Sequence, residues 1–140
     1  MADYCTRSDI EDLFGVVNVA KWADLDNDAD ATKIAARIAR AITGASASID
    51  DRLRDSLYVL PITGSPSTLV NLCASLAGVW LYECRGSQDM NEVTGQPMHR
   101  LSWHRNRAEQ TLRELKAGTI RLDATTVGSG TTAPMVVKDG

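Results

Sequence analysis

A chain of 140 residues with 44% hydrophobic content is long enough to bury one core and too short for two. Its net charge of -3, with 24% charged residues, lacks the basic excess with which a sequence-independent nucleic-acid binder neutralises phosphates. Three cysteines, Cys5, Cys73 and Cys84, are an odd number without a CxxC pair, which argues against a disulfide framework or a cysteine zinc site and suits a reducing cytoplasm.

Asp3, Arg7 and Asp9 put charge where a signal peptide would place its apolar stretch, so export by that route is not expected. Ser8 and Glu11 have capping-box spacing and Gly15 supplies a left-handed stop, predicting a short helix over about 9–14. Val16, Val17, Val19, Ala20 and Trp22 follow. Their spacing mixes helical and strand signals and is read as a helical turn ending near Leu25.

The acidic stretch DLDNDADAT precedes a periodic run in which Ile34, Ile38, Ile42, Ala45, Ile49 and Leu53 recur at three- and four-residue steps. This is the first long helix. Asp28 or Asp30 is its expected N-cap, and Pro61 cannot continue it. Gly44 costs such a helix roughly 1 kcal/mol relative to alanine, which leads us to expect a close helix contact at Gly44, Ala45 and Ala47.

A turn over Thr63 to Ser67, with Gly64 and Pro66, leads into a second long helix. Leu69, Cys73, Leu76, Trp80 and Cys84 mark one of its faces, and Val70, Ala74, Ala77 and Leu81 another. Apolar nearly all round, it should be central. The run from Thr68 to Tyr82 includes Asn71, Ser75 and Gly78 and falls short of the roughly 20 residues a membrane span needs. Gly86 ends this helix, and the polar SQDMNEVTGQPM reads as an exposed loop. The third long helix is expected over about 99–117, with Leu101, Trp103, Ala108, Leu112 and Leu115 on its apolar side and Gly118 as its stop. Arg100, His104, Arg105, Arg107 and Arg113 make its other face basic.

Beyond Leu122 the sequence DATTVGSGTTAPMVVKDG is too rich in Thr, Ser and Gly to fill a core. The expected organisation is therefore an all-α bundle over 1–122, with three long helices and short N-terminal ones, and an extended arm over 123–140. Within that arm Thr131, Pro134, Met135, Val136 and Val137 are the candidate docking residues, Met135 to Val137 being able to add a short strand to a partner.

Asp24, Asp26, Asp28 and Asp30 alternate as in a calcium loop, but the required Gly position holds Ala29 and the bidentate Glu position holds Ala35, so capping and an interface role are preferred to a metal. His99 and His104 are five apart and have no completing ligand, and no cofactor is expected. Cys73, deep in the apolar helix, reads as a small core residue in preference to a nucleophile. Arg100, Trp103, Arg105 and Arg107, together with the four aspartates, are the candidate partner interface, since Trp and Arg are enriched at such surfaces. The chain shows no Ser/His/Asp, paired-carboxylate or phosphate-loop pattern, and a non-enzymatic role is expected.

These landmarks, taken in order, resemble the Mu-like head-tail connector family of tailed bacteriophages. The resemblance rests on Tyr4, Thr6, Asp9, Ile10, Phe14 and Gly15, on the acidic loop Asp24 to Asp30, and on Ala45 to Leu53 with Tyr58, Leu60 and Pro61. It continues through Pro66 and Cys73 to Ala108, Leu112, Leu115 and Gly118, so it covers roughly Tyr4 to Leu122. It implies a helical subunit that assembles, commonly as a dodecamer, into a ring in the virion neck. Such a ring docks under the portal protein, meets a tail-side or stopper protein, and lets double-stranded DNA pass. Assembly in the host cytoplasm without a membrane partner is expected. The alternative is a small helical DNA-binding regulator. It is disfavoured because a long loop, where a helix-turn-helix needs a tight turn, precedes the basic helix.

Overall fold

The computed structural model describes residues 3–64, 66–84, 89–90, 97–98 and 101–122. Its helices are α1 (Arg7–Phe14), α2 (Val16–Ala23), α3 (Ala31–Leu53), α4 (Ser67–Cys84) and α5 (Ser102–Ala117). The expected all-α class holds. Inside the stretch read as a loop, β1 (Asp89–Met90) and β2 (Pro97–Met98) pair antiparallel, Asp89 opposite Met98.

The α1 cap lies two residues before the expected one. Thr6, not Ser8, is the N-cap: its hydroxyl accepts from Asp9 N while the Asp9 carboxylate accepts from Thr6 N at 2.8 Å. A long-range constraint selects Thr6 over Ser8. Tyr4 N donates to the buried Ser46 Oγ on α3 at 3.0 Å, which keeps the chain extended until residue 6. Gly15, with φ +94°, then turns the chain sharply into α2, a position that other side chains rarely adopt.

Asp30 caps α3 by accepting from Thr32 N at 2.9 Å and Lys33 N at 3.3 Å. Ile38, Ile42, Ala45, Ile49 and Leu53 are buried and Ile34 packs against them, as the periodicity predicts. α3 ends at Leu53, ahead of Pro61: Arg54 turns extended, with ψ 137°, and Asp55 follows in a left-handed conformation with φ +66°. α4 is the central helix, touching α1, α2, α3 and α5. Leu69, Cys73, Ala74, Ala77 and Leu81 are almost fully excluded from solvent. Fully burying each such leucine contributes about 1.5–3 kcal/mol.

One buried polar network ties the sequence-distant pieces together. The Tyr4 hydroxyl donates to Asp50 on α3 and accepts from Ile62 N at 2.9 Å. Ser46 Oγ, besides accepting from Tyr4 N, lies 3.5 Å from Cys73 Sγ on α4. In the same connection after α3, the Tyr58 hydroxyl accepts from Leu122 N at 2.7 Å, and Leu122 is buried. Polar groups in so dry a place are stabilising only because each has its partner. Burial, followed by the Asp50 hydrogen bond, pushes the Tyr4 phenol up to about 12.

Candidate functional site

Two surface features stand out from this frame. The first is a groove of about 740 Å³ where α3, α4 and α5 diverge. Ala41, Ala45, Leu76, Val79 and Trp80 give it an apolar lining, and Arg40, Glu83, Arg105 and Glu109 stand around it. Most of these charges are already matched, with Arg105 on Glu83 and Arg52 on Glu109, each at 2.8 Å. Part-exposed pairs of this kind contribute at most about 1 kcal/mol each. Gly44 lies on the groove and is exposed; a Cβ built there would meet nothing within 4 Å. The expected close helix contact at Gly44 is therefore absent: Ala45 is buried, Ala47 half-buried, and Gly44 faces open space.

The second feature is the corner between α1 and α2. Phe14 and Val19 turn inward, which leaves Leu13 41%, Val16 61% and Val17 78% exposed. Phe14 anchors the corner by seating its ring where a Cβ on Gly78 of α4 would be, 2.2 Å away. Trp22 and His104 meet that ring edge-on at 5.6 and 5.1 Å, a geometry aromatic rings favour. Neither the groove nor the corner was anticipated. The corner had a partial signal: Val17 falls off the stripe defined by Val19 and Ala23, whereas Val16, three residues before Val19 and seven before Ala23, lies on it and is exposed all the same.

Three of the four loop aspartates, Asp24, Asp28 and Asp30, are occupied with their own backbone, and Asp26 pairs with Lys33. Asp24 accepts from Asp28 N and Ala29 N at 3.2 and 3.1 Å, Asp28 from Asp30 N at 3.2 Å, and Asp30 caps α3. Lys33 Nζ lies 3.3 Å from Asp26 and 2.8 Å from Asp28. Its hydrogen bond holds the Asp28 carboxyl below the ordinary carboxylate range. No group of three or more His, Cys, Asp or Glu side chains forms a metal-holding cluster among the described residues.

The basic face of the last helix is divided between surroundings. Arg105 turns to Glu83 at the groove, and His104 packs on Phe14. Arg113 is exposed. Trp103, expected on the apolar side, is 61% exposed. Two residues from Leu101, it falls on the far side of a 3.6-residue helix whose inner stripe is Ala108, Leu112 and Leu115. The Arg107 guanidinium lies 5.3 Å from the Trp103 ring centroid, a cation–π contact. Trp103 and Arg107 thus come together on the surface, Arg105 lies apart from them, and the aspartates belong to the α2–α3 connection. Arg100, His99 and the arm residues Thr131, Pro134, Met135, Val136 and Val137 lie outside the described residues.

Cys73 is fully buried, as expected of a core residue. Its neighbour Cys5 is also buried, and a hydrogen bond to Cys73, followed by burial, pushes the Cys5 thiol well above its ordinary range. No helix among the described residues is long and apolar enough to cross a membrane.

A family model described as Bacteriophage Mu, Gp36 matches residues 4–138. No curated protein matches the chain.

Proposed function

The chain belongs to the bacteriophage Mu Gp36 family, and on that premise we propose that it is a structural protein of the virion. In this reading it is a head-tail connector subunit that joins others in a ring between the portal protein and a tail-side or stopper protein. The observation that carries the reading is the family match over residues 4–138, which takes in the whole helical unit and nearly all of the segment beyond it. The landmarks of the resemblance also have fold-forming work. Tyr4, Thr6, Gly15, Tyr58 and Gly118 are hydrogen-bonding, capping and turning residues of the bundle.

The role is mechanical, so the subunit needs rigidity, surfaces for its neighbours and a channel that does not hold DNA. A chain of net charge -3 has no excess of cations with which to retain phosphates, which favours free passage of the double strand. The segment 123–140, poor in core-forming side chains, is proposed to dock on the portal or on a neighbouring subunit. Many such weak attachments around a ring add up to one strong one. The regulator reading loses ground here, because Arg105 is paired with Glu83 and α4 and α5 are not joined by a tight turn.

The test is the native mass of the full chain, alone and mixed with the portal protein of the same phage genome, followed by electron microscopy of any complex. A ring seated on the portal is expected. A monomer or dimer without portal affinity, but with salt-sensitive DNA binding, would overturn the reading in favour of the regulator.

A further inference from the structure

We propose that the α1–α2 corner of one copy of this chain docks into the α3–α4–α5 groove of the next, forming a head-to-tail contact. The choice of a second copy as occupant deepens the ring reading and rests on it.

The two surfaces match in polarity. The corner is aliphatic, with Leu13, Val16 and Val17 exposed between residues 13 and 17. The groove is concave, with an apolar lining that includes Leu76, Val79 and Trp80, and Gly44 leaves room on it. Single exposed aliphatic residues are ordinary, but three at one corner mark a surface that gains from being covered. A small polar ligand fits the groove less well, because Glu83 and Glu109 are already paired with Arg105 and Arg52, which leaves Arg40 as the lining charge outside a salt bridge among the described residues.

The central helix fixes their relative direction. Leu76, Val79, Trp80 and Glu83 of α4 line the groove, whereas Gly78 of the same helix receives Phe14 from the corner. At 3.6 residues per turn, Gly78 lies about 150° around α4 from the centre of the groove-lining set. The corner and the groove of one copy therefore point away from each other and cannot meet within one bundle. A contact between copies leaves one corner and one groove free, and repetition with a closing rotation gives a ring.

Charge sets the orientation. Asp12, next to Leu13, and Arg40, on the groove, are both exposed, and neither is in a salt bridge among the described residues. Docking brings these opposite charges together across the contact. The acidic loop and the basic helix are poorer candidates, since Lys33 offsets Asp26 and Asp28, and Glu83 offsets Arg105.

The experiment is disulfide trapping in the full chain with the exposed Cys84 replaced by serine. V17C and G44C are prepared separately; Val17 is exposed and Gly44 has open space, so both fold. Each variant, and their equimolar mixture, is oxidised alone and with the portal protein, then analysed by non-reducing gel and by native mass. Cross-linked dimers from the mixture, at least tenfold above either variant alone, are the expected result. Rings that form without this cross-link, or V17C or G44C copies that link as well to themselves, overturn the proposed contact while leaving the ring reading standing. A chain that stays monomeric at every concentration, with and without the portal protein, defeats the ring reading and the contact with it.

Discussion

Gly44 in α3 and Gly78 in α4 cost their helices the same intrinsic propensity, about 1 kcal/mol each relative to alanine. Their surroundings are opposite: a Cβ at Gly78 would lie 2.2 Å from the Phe14 ring, and one at Gly44 would meet nothing within 4 Å. The side of α4 that faces α1 and α2 is closed by aromatic contacts and by the Tyr4 network, so its residues hold the fold. The side that opens onto the groove has finished its internal pairing and still exposes apolar surface. Identical residue types in similar helices thus serve folding in one region and leave room for a partner in the other.

The widest gap between the regions should appear in α3, where Ile49 is fully buried and its neighbour Ser48 lines the groove. Ile49→Asp places an unpaired charge in the core and should unfold the bundle, because several kcal/mol is comparable with the whole stability of a small domain. Ser48→Asp should shift stability by no more than about 0.5 kcal/mol. Urea unfolding followed by circular dichroism measures both, and a folded Ile49→Asp bundle would break the comparison.

Gly78→Ala comes next. The added methyl must displace Phe14, an overpacking cost of about 1–3 kcal/mol that outweighs the gain in helix propensity. A lowered thermal midpoint is expected, and an unchanged or raised one would show that Phe14 yields freely.

Alkaline pH tests the same closed side. The Tyr4 phenol ordinarily ionises at 10.0 and is pushed up to about 12 in the fold, so the folded chain holds this proton more tightly than the unfolded chain does. The resulting stability is fully present below pH 10 and is lost as pH rises from about 10 to about 12. Tyr4→Phe should lower stability at neutral pH, by leaving Ile62 N without its acceptor, and should remove this group's share of the alkaline decline. Thermal melts at stepped pH values provide the check.

The smallest effect is expected at the open side. Gly44→Ala should stabilise the chain by up to about 1 kcal/mol, a rise of a few degrees in thermal midpoint, since helix propensity improves and nothing is displaced.

Much of the frame was legible in the sequence because it depends on local signals. The Ile34 to Leu53 period, the apolar circumference of α4 and the Gly118 stop all act within a few residues and all hold, and of the two expected caps, Asp28 and Asp30, Asp30 is the one used. What depends on long-range approach was not legible. The capping spacing of Ser8 and Glu11 is as good as that of Thr6 and Asp9, and the hydrogen bond from Tyr4 to Ser46, 42 residues away, decides between them. Helical spacing also could not show which glycine meets a neighbour, because the 3.6-residue period describes one helix and not the distance between two. Trp103 was misplaced for a simpler reason: Ala108, Leu112 and Leu115 define the inner stripe, and its apolar character outweighed its position two residues from Leu101. Among the candidate interface residues, the aspartates and Arg105 proved to have partners within the fold, and the open groove emerged only once three helices were set side by side.

The claim that the open face of the bundle is its assembly face is tested most directly by the native mass of the full-length Gly44→Leu variant mixed with the portal protein. The account predicts a folded subunit, melting no lower than the parent, that remains monomeric because the leucine occupies the part of the groove that Gly44 leaves open. A Gly44→Leu chain that builds the same ring as the parent would contradict it.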